Sequence, residues 1–164
     1  MSLCPELYSC IASLEEIQLG RLDRAPLHLK LLPLFTINKP ADKLIQAFEE
    51  MNPPGQFEIT GGPMDYYSNK HDHLVRVIHP RHELKLLHEA ITDSLALAGI
   101  LFVHPEYAGL GYRPHITPQG KERKLNLGQI HRYREIQLLR RSGDDLIVLS
   151  KKKLGDNSRL SHLA

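Results

Sequence analysis

The hydrophobic pattern switches twice between a two-residue and a helical period. Residues 6–13, "ELYSCIAS", form a short apolar and partly β-branched run that predicts a first strand. In "PLHLKLLPLF", residues 26–35, Leu27, Leu29 and Leu31 alternate with His28, Lys30 and Leu32, predicting a strand with one apolar and one more polar face. Pro33 lacks an amide donor, so it marks a bulge, an edge or the strand's end. The period then changes: in "PADKLIQAFEEM", residues 40–51, Leu44, Ile45, Phe48 and Met51 share one side of a helix that starts at Pro40 and Asp42.

Past the turn "NPPG", the segments 56–60 and 73–78 read as two further strands, and "GGPMDYYSNKHD" between them reads as a loop or hairpin end. The clearest helix is 80–99, with Leu84, Leu87, Ile91, Leu95 and Ala98 on one stripe and Gly99 as its stop. His79, His82 and His88 are assigned to the surface of this region. Two last strands, 135–141 and 145–151, flank the turn "SGDD".

Strands, helix, strands, helix, strands is an order that divides into two similar halves. Each would hold a histidine-bearing strand in a small sheet backed by a helix, an α+β arrangement. At 164 residues the chain is long enough for one such domain, expected over 1–154, with an aperiodic C-terminal tail over 155–164.

The net charge of +2 argues against a large nucleic-acid footprint, although "KERK" (121–124), "RRSG" (140–143) and "KKK" (151–153) form local basic clusters. No apolar run is long enough to span a bilayer, and Cys4 and Cys10 make neither a disulfide framework nor a zinc site. The expectation is a cytoplasmic monomer with no cofactor, metal or membrane partner.

The chemistry concentrates in "YRPHITPQG", residues 112–120. Strand alternation projects Arg113, His115 and Thr117 together and turns Tyr112, Pro114 and Ile116 away. Alone, His115 reads as a hydrogen-bonded structural residue. His28 and Lys30 repeat its pattern on the earlier strand, and two imidazoles on one cleft make an acid and base couple near neutral pH. Such a couple suits phosphodiester cleavage, with Thr117, Lys30 and Arg113 binding the non-bridging oxygens.

The run of "PLHLKLLPLF", a helix, "FEITGGPMDYY", "LVRVIHPRHELKLLHEAI" and "GYRPHITP" resembles the two-histidine phosphoesterase superfamily, which includes 2'-5' RNA ligase-like proteins and cyclic nucleotide phosphodiesterases. The resemblance covers about residues 5 to 150 and implies an α+β fold of two pseudo-symmetric lobes of antiparallel sheet, backed by helices and flanking a central groove. It implies a metal-independent phosphoesterase acting on a nucleotide or RNA end: a 2',3'-cyclic phosphate, or a 2'-5' linked or cyclic oligonucleotide. His28 and His115 would be catalytic, with Lys30, Thr117 and Arg113 on the phosphate. One position departs from the family's H-x-(Thr/Ser) pattern: Lys30 stands where a hydroxyl is expected, and its charge should lower the pKa of His28. That departure motivates the alternative, a non-catalytic nucleotide- or RNA-binding module using the same groove.

Three features stay open. "HDH" (71–73) puts two imidazoles on one strand face, read as a solvated loop end rather than a metal site. Tyr66, Tyr67, Tyr107, Tyr112 and Tyr133 are each a base-stacking or a core residue. "HRY" (131–133) precedes a strand, with Arg132 or Tyr133 as a possible groove residue.

Overall fold

The computed structural model describes residues 5–67 and 73–156. Ten strands, β1 (Leu7–Ser13), β2 (Gly20–Leu22), β3 (His28–Ile37), β4 (Phe57–Tyr66), β5 (Leu74–His79), β6 (Ile100–Phe102), β7 (His115–Ile116), β8 (Ile130–Tyr133), β9 (Glu135–Ser142) and β10 (Asp145–Lys153), join in one antiparallel sheet. Two helices, α1 (Ala41–Glu50) and α2 (Arg81–Ser94), complete an α+β fold. The strand order is β2-β10-β9-β1-β3-β7-β5-β4-β8, with β6 also on β3. The two halves therefore meet where β3 runs against β7.

Pro33 explains why β3 has two different neighbours on one side. Near its start β3 pairs with β7 through Leu29 and Ile116; near its end it pairs with β6 through Phe35 to Ile37. Pro33 falls between these two ladders, where no donor is required. On the β1 side the register slips between the pairs Tyr8–Phe35 and Cys10–Leu32, which sets Pro33 and Leu34 in a bulge.

The helices bury the stripes their periods predict. α1 contributes Leu44 and Phe48 and packs against β10; α2 contributes Leu84 and Ile91 and packs against β3. Gly99, at φ 73°, ends the 3-10 turn that follows α2 in a left-handed conformation that a residue with a Cβ adopts at a cost. One main cluster runs from Tyr8 and Leu31 to Ile116 and Tyr133 across both halves, and a smaller one of Ile11, Ile17, Leu139 and Val148 lies on the first half.

Three expectations are corrected. Residues 61–66 are not a loop: β4 continues to Tyr66, with a bulge between Gly61 and Met64 that carries Gly-Gly-Pro through the ladder. Gly61 is needed there, since a Cβ would collide with the backbone carbonyl of Asn126. His88 is not a surface residue but is buried at 1% exposure, because both ring nitrogens find backbone partners: Nδ1 donates to the Leu31 carbonyl (2.7 Å) and Nε2 accepts the Gly109 N–H (2.9 Å). "HRY" is itself β8, paired to β4 at the sheet's far edge, where Tyr133 is buried and Arg132 bonds Gln56 and Glu58. Neither residue lines the central groove.

Of the expected tail, Gly155 is held against 54–56 by backbone hydrogen bonds, and 157–164 lie outside the described residues, as does Cys4. Cys10 is buried and free of any disulfide. No helix among the described residues is long and apolar enough to cross a membrane.

Candidate functional site

The strand alternation decides which side chains reach the groove. Tyr112, Pro114 and Ile116 are buried while Arg113, His115 and Thr117 are partly open; Leu27, Leu29 and Leu31 are buried while His28 and Lys30 are partly open. All five partly open residues line one cavity of about 370 Å³, together with Tyr67, His73, His104, Tyr107 and Arg141.

The register between β3 and β7 brings the two sequence patterns together. Leu29 stands opposite Ile116. Carried one residue each way, antiparallel pairing sets His28 against Thr117 and Lys30 against His115, all on the groove face. The two histidines are then diagonal neighbours, with backbones roughly 7–8 Å apart, a separation that two imidazole rings can close around one phosphate. Each histidine faces the third residue of the other's pattern.

Their ring nitrogens are arranged alike. His28 Nδ1 donates to the Pro26 carbonyl (2.7 Å) and His115 Nδ1 donates to the Arg113 carbonyl (2.8 Å), each two residues upstream. A donating Nδ1 leaves Nε2 as the free lone pair in the neutral ring, so both imidazoles share one tautomer. Tyr67 covers one face of His115, with ring centres 4.0 Å apart, and Tyr107 packs on Tyr67 at 4.7 Å. Burial pushes the Tyr67 hydroxyl up to about 12, so it remains a proton donor.

The electrostatics of the groove favour neutral imidazoles. Burial holds His115 down to about 4, and Lys30, His73 and His28 press the same way against the Arg113 hydrogen bond. His28 is lowered first by burial and then by Lys30 and Arg141, against the Pro26 bond. The effect of Lys30 on His28 has the sign expected from the sequence, although burial is the larger cause. Lys30 is itself lowered by burial and by Arg141.

The remaining predicted residues sit at the same groove with distinct partners. Thr117 Oγ1 lies 3.3 Å from His73 Nε2. Arg113 turns its guanidinium to Asp65 (3.3 Å) and to the Tyr66 and Tyr67 carbonyls (3.5 Å), so it braces the segment that carries Tyr67. Tyr112 is buried in the groove's wall, donating to the Lys30 carbonyl at 2.7 Å and stacking on His88 at 4.2 Å, and thereby fixes β3 to the approach of β7.

Sequence reasoning missed His73 and Arg141. His73 is exposed and stands just ahead of β5, as a loop end would, yet its ring reaches Thr117; its companion His71 lies outside the described residues. Each basic cluster supplies contacts away from the groove: Arg123 with Glu15, Arg140 with Glu6, Lys151 with Glu135 and Lys152 with the Glu49 carbonyl. Arg141 has no such pair among the described residues and faces the groove. Among the described residues no three His, Cys, Asp or Glu side chains are grouped to hold a metal ion.

Comparison with solved structures adds the fold's relatives. A phosphoesterase crystal structure superposes with a TM-score of 0.59 at 15% identity, over 92% of this chain and 98% of its own. E. coli LigT in complex with 3'-AMP gives 0.59 at 16% over the same shares. The fold is LigT-like. LigT in complex with NADP+ agrees, at 0.58 and 14% identity over 92% of this chain and 98% of its own. No protein-family profile and no curated protein sequence matches the chain. At this identity the likeness lies in the fold, which the chain shares over 92% of its length with a phosphoesterase.

Proposed function

We propose that the chain is a metal-independent phosphoesterase cleaving a nucleotide or RNA-end phosphodiester through His28 and His115. The observation that carries this reading is the β3–β7 register, which makes two imidazoles of the same tautomer diagonal neighbours in one groove. The LigT-like fold and the nucleotides held by LigT in its crystals support it.

With a 2',3'-cyclic phosphate, one neutral imidazole takes a proton from water as its oxygen bonds to phosphorus. The other, protonated, gives its proton to the ribose oxygen as that P–O bond breaks, leaving a ribose phosphomonoester. The reverse proton exchange restores the pair. Burial favours the neutral form of both imidazoles, so the acid form arises with substrate: an anionic phosphate beside a histidine favours its charged form.

Lys30 and Thr117 flank the phosphate and bind its non-bridging oxygens, where charge grows in the five-coordinate transition state. Arg113 adds positive potential at the rim and holds the Asp65–Tyr67 segment. Lys30 also carries the second reading. A lysine opposite His115 works against the imidazolium that an acid catalyst needs, which is the behaviour of a groove that binds nucleotides without turning them over.

The test is turnover of adenosine 2',3'-cyclic phosphate and 2'-5' oligoadenylate with and without EDTA. The reading expects activity that is indifferent to chelator and lost in His115→Ala. Activity that vanishes with EDTA or survives His115→Ala would sink the mechanism. Nucleotide binding without turnover, with turnover restored by Lys30→Thr, would establish the binding module instead.

A further inference from the structure

The groove holds more positive charge than one phosphodiester can balance. Among the described residues three basic side chains line it, Lys30, Arg113 and Arg141, and no carboxylate does. Asp65 balances Arg113 from outside the lining. Lys30 and Arg141 have no ion-pair partner among the described residues, and each stands in the other's field. Two unpaired cations facing one cavity repel each other until an anion enters. A scissile phosphodiester brings a single negative charge.

The strand positions say where the second charge belongs. Lys30, Ile11 and Gln137 form one cross-strand row through β3, β1 and β9. Arg141 is four residues further along β9, on the same face, about 13 Å from that row at 3.3 Å per residue. It lines the same cavity as Lys30, so its side chain reaches back along the groove toward the histidines. An anion at Arg141 is therefore displaced along the strands from one held between His28 and His115.

We propose that Arg141, with Lys30, binds a second phosphoryl group of the substrate, so that this chain prefers nucleotide phosphodiesters that also carry a phosphomonoester. The inference rests on the proposed phosphoesterase reading and adds the substrate's second charge to it. A planar guanidinium can take two oxygens of a terminal phosphate at once, and such charge-assisted pairs are the strong ones.

The experiment compares kcat/KM for adenosine 2',3'-cyclic phosphate with and without a 5'-phosphate, in the wild-type chain and in Arg141→Gln. Arg141 is exposed, so the variant is expected to fold. The wild-type chain should prefer the 5'-phosphorylated substrate by about tenfold or more, and Arg141→Gln should bring that ratio to within about twofold. Equal efficiencies in the wild type, or a ratio that survives Arg141→Gln, would overturn the second site while leaving the phosphoesterase reading intact. Calorimetric affinity for adenosine 3',5'-bisphosphate against 3'-AMP reads the subsite without any chemistry. Equal affinities overturn it even in a chain that turns nothing over, and a preference lost in Arg141→Gln upholds it there.

Discussion

Acid should destabilise this fold through His115 in a calculable way. The unfolded chain takes up the His115 proton near 6.5, whereas in the fold burial and the charges of Lys30, His73 and His28 hold that proton off until about pH 4. The folded pKa is the lower one, so the unfolded state binds more protons between these values. Stability is complete above 6.5 and falls as pH drops through the window, levelling off below about 4. Linkage gives a loss of about 2 kcal/mol at pH 5 and about 3 kcal/mol at pH 4 from this residue alone. His28 and His88, both lowered chiefly by burial, act in the same direction.

His115→Asn isolates the effect, since the asparagine amide can replace Nδ1 as donor to the Arg113 carbonyl. Urea unfolding followed by circular dichroism at pH 7.5 and pH 5 should show wild type losing about 2 kcal/mol more than His115→Asn. Equal losses in the two proteins, or a His115 ring proton titrating near 6.5 by NMR, would refute the electrostatic account of the groove.

Other perturbations follow from particular contacts. Lys30→Thr removes a cation that lowers both histidines, so the NMR titrations of His28 and His115 should move to higher pH; unchanged midpoints would separate Lys30 from the pair. His88→Leu leaves the Leu31 carbonyl and the Gly109 N–H without partners and should cost about 3 kcal/mol, a fall of roughly 10 °C in Tm by calorimetry. Gly61→Ala drives a Cβ into the Asn126 carbonyl and should destabilise by about 1–3 kcal/mol in urea titrations.

Where the local pattern decided the structure, the sequence was readable. The Leu27, Leu29, Leu31 alternation placed β3, and the Leu84, Ile91, Leu95 stripe placed α2. His28, Lys30, Arg113, His115 and Thr117 all reach one groove because a strand's side-chain period is two, whatever its neighbours. The unread elements depend on distant partners. β2, β6 and β8 span three or four residues each and are held by β10, β3 and β4, which no local period announces.

Gly61, Gly62 and Pro63 read as a turn because their usual role is punctuation, yet here a bulge absorbs them into β4. His88 falls four residues after Leu84 and three before Ile91, squarely on the buried stripe. Its polarity concealed that position, and only the carbonyl of Leu31 and the amide of Gly109 make its burial affordable. Arg141 was visible as part of a basic cluster, but its arrival at the groove depends on β9 lying beside β1.

The central claim is that His28 and His115 act together in one proton-transfer step on one phosphate. A double-mutant cycle on kcat for adenosine 2',3'-cyclic phosphate tests it most directly. His28→Ala and His115→Ala should each lower kcat by about 10² to 10⁴-fold, and the double variant should be little worse than either single one, because a pair acting as a unit is disabled by one loss. Losses that multiply in the double variant, or a single variant that keeps wild-type kcat, would contradict a shared site.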